Sequence, residues 1–88
     1  MIAPEARLTP APAYPSIAMR LGLEGTVGLR VLVDENGAVI EAEVVKGTKQ
    51  LDEAAIVGVR RWTYRPATKD GVPVRVWIPV TVKFELSE

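Results

Sequence analysis

Few side chains in this sequence are equipped for covalent or acid–base chemistry. There is no histidine, which removes the commonest general base and metal ligand, and no cysteine, which removes thiol chemistry and any disulfide framework. The serines are Ser16, at the start of a short helical segment, and Ser87, near the chain end. Neither has a histidine to activate it. Glu41 and Glu43 stand two apart, which puts both carboxylates on one face of a strand. Nothing around them signals a pocket, so they read as part of a solvated face. Arg60, Arg61, Arg65 and Lys69 form a local basic cluster. Nucleic-acid binding wants overall basicity with interleaved aromatics, and the formal net charge is zero. The side chains therefore point to no enzyme, no cofactor, no metal and no nucleic-acid partner.

The chemistry that remains belongs to the backbone. Residues 74–86 read Val-Arg-Val-Trp-Ile-Pro-Val-Thr-Val-Lys-Phe-Glu-Leu, with an apolar residue at every even position. A period of two sustained this long specifies a β-strand with one buried face. Pro79 lies within it and has no N–H to give to a ladder, so it belongs at a sheet edge or a bulge. Along a strand, the backbone groups of alternate residues point to the same neighbour. Without a bulge, the odd-numbered residues point to the side that tolerates Pro79, and that side is expected to be free. A strand adding there would pair with the backbone of Trp77, Thr81, Lys83 and Glu85, and Pro79 would still offer its carbonyl. An open edge of this kind is either a liability or a binding site.

The elements that must position this strand are legible in order. Residues 1–13 carry Pro4, Pro10 and Pro12 among alanines and are expected to be an extended, polyproline-like or disordered lead. Pro15 suits the first position of a short helix over 16–21, with Ala18 and Leu21 facing inward and Gly22 stopping it. The first strand spans 25–34 with Val27, Leu29, Val31 and Val33 buried. A tight turn at Asp34-Glu35-Asn36-Gly37 follows, with Asn-Gly supplying positive φ. The second strand, 38–46, turns Ile40, Ala42 and Val44 inward. An amphipathic helix over 51–61 buries Leu51, Ala55 and Val59, with Asp52 and Glu53 in its first turn and Arg60 and Arg61 in its last. Trp62 to Pro66 is short and extended, and Lys69 to Pro73 turns into the long strand. The expected fold is α+β, a three-stranded antiparallel sheet with two helices on one face, in the order α-β-β-α-β. It occupies residues 14–88.

The chain resembles the C-terminal domain of the TonB energy-transducer family of Gram-negative bacteria. The matching residues are Tyr14-Pro15 and Ala18, Glu24-Gly25-x-Val27, Val33-Asp34-x-x-Gly37, Leu51-Asp52-x-Ala54-Ala55, Arg61-Trp62-x-Tyr64-x-Pro66, Gly71 and the closing strand through Phe84. Each piece alone is weak, and the ordered series is specific. The resemblance implies a periplasmic domain of a protein anchored in the inner membrane. An anchor helix and a proline-rich spacer would precede Met1, so the chain reads as an excised domain. It implies capture of the TonB box, a short peptide of a TonB-dependent outer-membrane transporter, as a strand beside the final one. It also implies coupling to ExbB/ExbD-type motor proteins through parts outside this chain. Tyr14, Pro15 and Arg75 are accessory contact candidates. Some family members carry glutamine or arginine where Thr9, Ala11, Ala13 and Ile17 stand here, so side-chain recognition by that segment does not carry over.

Two further expectations concern the outer sheet face. Trp77, Leu32, Val39, Val45 and Pro79 would form an apolar patch, serving either cross-strand packing or association. Arg30, Arg75 and Lys83 would meet Glu41 and Glu43 as solvated pairs. The alternative function is an assembly module, in which the same edge pairs with a second copy, or the strands swap, to form a homodimer without a transport role.

Overall fold

The computed structural model describes residues 1–86 and shows nine elements in chain order: β1 (Glu5–Leu8), α1 (Ser16–Arg20), β2 (Gly25–Val33), β3 (Val39–Lys46), α2 (Lys49–Val59), β4 (Thr63–Arg65), β5 (Ala67–Lys69), β6 (Val72–Val74) and β7 (Val76–Phe84). Ser87 lies outside the described residues. The central sheet is antiparallel with strand order β3-β2-β7. This is the expected three-stranded α+β arrangement with two helices, to which two small strand pairs, β1-β4 and β5-β6, are added.

Alternation along β2 builds the core. Val27, Leu29, Val31 and Val33 are all essentially inaccessible, and β7 adds Val82 and Phe84. Ala18 of α1 and Leu51, Ala55 and Val59 of α2 close over this face in the same cluster. Ala18 alone carries the packing of α1. Leu21, expected inward, caps the helix end and stays exposed, because the five-residue helix stops before a second inward position is reached. Pro15 stands at the N-cap in extended geometry rather than inside the first turn, and its carbonyl accepts from the N–H of Met19. The second helix begins and ends two residues before its expected bounds. Asp52 reaches back to accept from the N–H of Thr48, and Arg60 becomes the C-cap with Arg61 beyond the helix.

The turn between β2 and β3 is built by Asp34. Its side chain accepts from the N–H groups of Asn36 and Ala38, and its carbonyl accepts from Gly37. Positive φ falls on Gly37 alone, so Asn36 does not share it as the Asn-Gly pattern predicted. Two register shifts follow in β3, at Ile40 and Val45. The first places Val39 opposite Val33 and in the core cluster, reversing the expectation that Ile40 faces in and Val39 out. A bulge exchanges faces in this way because one extra residue changes the parity of everything on its far side.

The closing strand is interrupted. Arg75 separates β6 from β7, so residues 72–74 fold back on β5 through a turn with Asp70 and Gly71 both at positive φ. The even positions of β7 keep the predicted alternation: Val76, Ile78 and Val80 are half-buried, and Val82 and Phe84 are buried.

Candidate functional site

The register of β7 on β2 is unbroken from Gly25↔Phe84 to Val33↔Val76, so there is no bulge at Pro79. Which of its backbone groups face outward follows from two hydrogen bonds. Asp34 N–H donates to Ala38 O across the hairpin at 2.9 Å, so the backbone of Asp34 faces β3. Since β2 itself has no extra residue, its even-numbered backbone groups face β3 and its odd-numbered groups face β7. Val27, Leu29, Val31 and Val33 therefore bond with Val82, Val80, Ile78 and Val76. Leu86 gives the same parity at the other end, donating its N–H to a Glu24 carboxylate oxygen at 2.6 Å, just ahead of β2.

What is left facing away is the odd set: Trp77, Pro79, Thr81 and Lys83, all exposed. Arg30 stands opposite Pro79 in a pair that requires no hydrogen bond, which is how proline fits a sheet here without cost to the ladder. Among the described residues no strand pairs with this outer side of β7. Glu85 lies one residue past the strand, ion-paired to Lys83 at 2.9 Å. The edge offers the N–H groups of Trp77, Thr81 and Lys83 and the carbonyls of all four odd residues of β7.

The accessory candidates sit elsewhere. Tyr14 packs edge-on against Phe84, with centroids 5.5 Å apart, and its hydroxyl donates to Leu23 O. It braces the C-terminal end of β7 rather than facing the free edge. Pro15 and Pro10 to Tyr14 form one wall of an apolar groove of about 340 Å³, whose other wall is the α2 face with Gln50, Ala54 and Val57. Arg75 pairs with Glu35 at 3.3 Å, not with the strand carboxylates.

The outer-face pairs also differ from expectation. Only Arg30 meets a β3 carboxylate, Glu43, at 2.8 Å, while Lys83 pairs with its own strand neighbour. Exposed pairs of this kind add little to stability. Arg30 also lies over the Trp77 ring, 4.6 Å from its centroid. Val39 turns into the core, and Leu32 is buried opposite Trp77 as a cross-strand pair, so the expected apolar patch is reduced to Trp77 and Pro79 on β7 with Val45 exposed on β3.

Sequence reasoning missed the docking of the lead. β1 pairs antiparallel with β4, Ile2 bridges Thr68 through two backbone bonds, and Trp62 Nε1 donates to Pro10 O at 3.0 Å. Pro12 lies against Gly58, where an added Cβ would stand 2.5 Å from the proline Cβ. The one signal available was the run of small residues Ala54, Ala55 and Gly58 on α2, and Gly58 is where Pro12 approaches closely.

Burial, and secondarily the Glu24 charge, raise the Tyr14 pKa, and burial raises that of Tyr64. Lys83 is raised too, by its hydrogen bond and charge interaction with Glu85. Groups with raised folded-state values contribute stability that is fully present below the unfolded value and lost as pH climbs through the folded one. Thermal midpoints are therefore expected to stay level to about pH 9 and to fall above pH 10, the ordinary tyrosine value. Tyr14→Phe is expected to blunt that fall. An equal alkaline fall in the variant would remove Tyr14 from the explanation.

Among the described residues no cluster of three or more His, Cys, Asp or Glu side chains is arranged to hold a metal ion, and no helix is long and apolar enough to cross a membrane. Comparison with known proteins agrees with the fold. The family model for the Gram-negative bacterial TonB protein C-terminal matches residues 10–86. Protein tonB2 of Pseudomonas aeruginosa is 44% identical over 80 residues, covering 89% of this chain and 30% of that protein. The TonB protein of Vibrio cholerae is 38% identical over 78 residues, covering 84% of this chain and 32% of that protein. The chain thus spans about a third of the length of these curated relatives. The solution structure of the Pseudomonas aeruginosa TonB C-terminal domain superposes with a TM-score of 0.77 at 18% identity, over 97% of this chain and 88% of that one. By sequence and by fold, the chain belongs to the TonB C-terminal family of Gram-negative bacteria.

Proposed function

We propose that the domain works in energy transduction for outer-membrane transport, capturing the TonB box of a transporter as a fourth strand beside β7. In this reading it lies in the periplasm, belongs to a protein anchored in the inner membrane, and receives force from an ExbB/ExbD-type motor through parts outside this chain. Family membership supports the general role. The observation that carries the capture mode is the contrast between the sheet's two edges. The β3 edge is blunted by two register shifts, which break the even spacing an added strand would need. The β7 edge is long, regular and open.

Strand addition suits a load-bearing contact. Several backbone bonds act in parallel, each contributing about 0.5–1.5 kcal/mol net. The inner side of a docked peptide would lie beside the half-buried Val76, Ile78 and Val80, so alternate apolar residues on the peptide would extend the core.

The test is an NMR titration of the labelled domain with synthetic TonB-box peptides, with a scrambled peptide as control. Shifts concentrated over Trp77–Lys83 are expected. A verified monomer that shows no response at millimolar peptide would contradict the capture mode. A mass that rises with protein concentration through the same strand would favour the assembly alternative.

A further inference from the structure

Pro79 occupies the middle of an edge that is otherwise complete. Its four outward residues offer four carbonyls but only three N–H groups, since proline contributes none. A peptide laid along this edge, in either direction, loses one hydrogen bond to that gap. A second copy of the domain pairing through the same edge brings a second Pro79 and loses two. With Trp77 facing Lys83 and Pro79 facing Thr81 in a two-fold antiparallel pair, both Pro79–Thr81 contacts are reduced from two bonds to one. Sliding the register does not help, because any pairing that overlaps more than half the strand includes both prolines.

We propose that Pro79 is a specificity-determining residue that discriminates against self-pairing of β7 while leaving the edge open to a peptide. The inference deepens the strand-capture reading and rests on it for its peptide half. The self-pairing half stands on the geometry of β7 alone.

The rest of the edge makes such a device necessary. Nine residues in regular register, with β-branched side chains at Val76, Ile78, Val80, Thr81 and Val82, form a ready template for a second copy. The exposed charges near the strand do not prevent it. Lys83 and Glu85 are oppositely charged neighbours and neutralise one another locally. Arg75 is neutralised by Glu35. Like-charge repulsion between copies is therefore weak, and the missing donor is the feature that remains to oppose self-pairing. Pro79 does so without loss to the fold, because Arg30 opposite it requires no bond from it.

The test compares the wild-type domain with Pro79→Val, which restores the donor and keeps an extended, β-branched residue at an exposed position. The ladder toward β2 stays intact, and this is checked by the retained exchange protection of the Ile78, Val80 and Val82 amides. One restored net hydrogen bond corresponds to about fivefold in an equilibrium constant. Self-association, followed by sedimentation equilibrium up to millimolar protein, is expected to strengthen by about 25-fold, with the amides of Trp77, Thr81 and Lys83 protected in the dimer. TonB-box peptide affinity is expected to rise only about fivefold. Pro79→Val that stays as monomeric as wild type at millimolar concentration, or that dimerises without protecting those amides, would overturn the proposal. Equal gains for peptide and self-association would overturn it as well. Failure of the wild-type domain to bind any peptide would instead count against strand capture, and the sedimentation comparison would still decide the role of Pro79 in self-pairing.

Discussion

Val80→Pro is expected to destabilise the domain by about 2–4 kcal/mol, while Thr81→Pro, one residue further on, is expected to change stability by less than about 1 kcal/mol. The two substitutions place the same ring in the same exposed strand. They differ first in which way the lost N–H pointed and second in the side chain given up, half-buried at Val80 and exposed at Thr81. Val80 pairs with Leu29, at the centre of the sheet, and its N–H is part of that ladder. Removing it leaves the Leu29 carbonyl without its donor and also removes a half-buried valine from the inner face. Thr81 faces the open edge, where its N–H meets no strand among the described residues, and its exposed side chain packs little. Pro79 is nature's version of the same experiment. Urea unfolding midpoints of the two variants check the prediction. Equal losses, or the reverse order, would mean that the outward set of β7 has been assigned to the wrong parity.

Gly37→Ala is expected to cost about 2–4 kcal/mol, a large effect for the addition of one methyl group. Two causes act together. The backbone there has φ +84°, a region that residues with a Cβ rarely adopt. The added Cβ would also fall on the carbonyl oxygen of Tyr64, a backbone atom that cannot swing aside. Tyr64 N–H donates to Gly37 O at 2.8 Å, and Ala38 bridges Thr63, so the hairpin tip is fixed to β4 at this point. Pushing it away would disturb Tyr64, itself a core residue. Gly71→Ala is the informative comparison. It has nearly the same φ, +80°, but nothing within 4 Å of an added Cβ, so it should show the conformational cost alone. Thermal unfolding of the pair separates the two causes, and equal losses would remove the clash from the account.

The parts of the fold that were legible in the sequence are those governed by local periodicity. The alternation of Val27, Leu29, Val31 and Val33, and of Val76 to Phe84, is sufficient to specify which face is buried, because no other regular structure fits a period of two. The open edge was legible for a different reason: Pro79 lacks a donor wherever it sits, and the parity of a regular strand carries that fact to its neighbours. Features that depend on a one-residue insertion were not legible. The shift at Ile40 exchanges Val39 and Ile40 between faces, yet nothing in Ala38-Val39-Ile40 distinguishes a regular strand from a bulged one. The break at Arg75 is similar, since the alternation of residues 72–86 continues across it and only the Asp70-Gly71 turn draws residues 72–74 back onto β5. Docking of the lead depends on contacts such as Pro10 with Trp62, 52 residues apart, which local pattern does not encode. The candidate edge followed from local rules, whereas the surroundings of Tyr14 and Arg75 required the folded chain.

In the proposed capture mode, a peptide fills the vacant edge formed by the odd backbone groups of β7. Residue-resolved amide hydrogen exchange, measured with and without saturating TonB-box peptide, tests this most directly. In the free domain, Ile78, Val80 and Val82 should be protected by the β2 ladder, while Trp77, Thr81 and Lys83 exchange rapidly. Peptide should slow Trp77, Thr81 and Lys83 selectively and leave the even amides nearly unchanged. Protection gained at β3, or gained equally by odd and even residues of β7, would contradict capture at this edge.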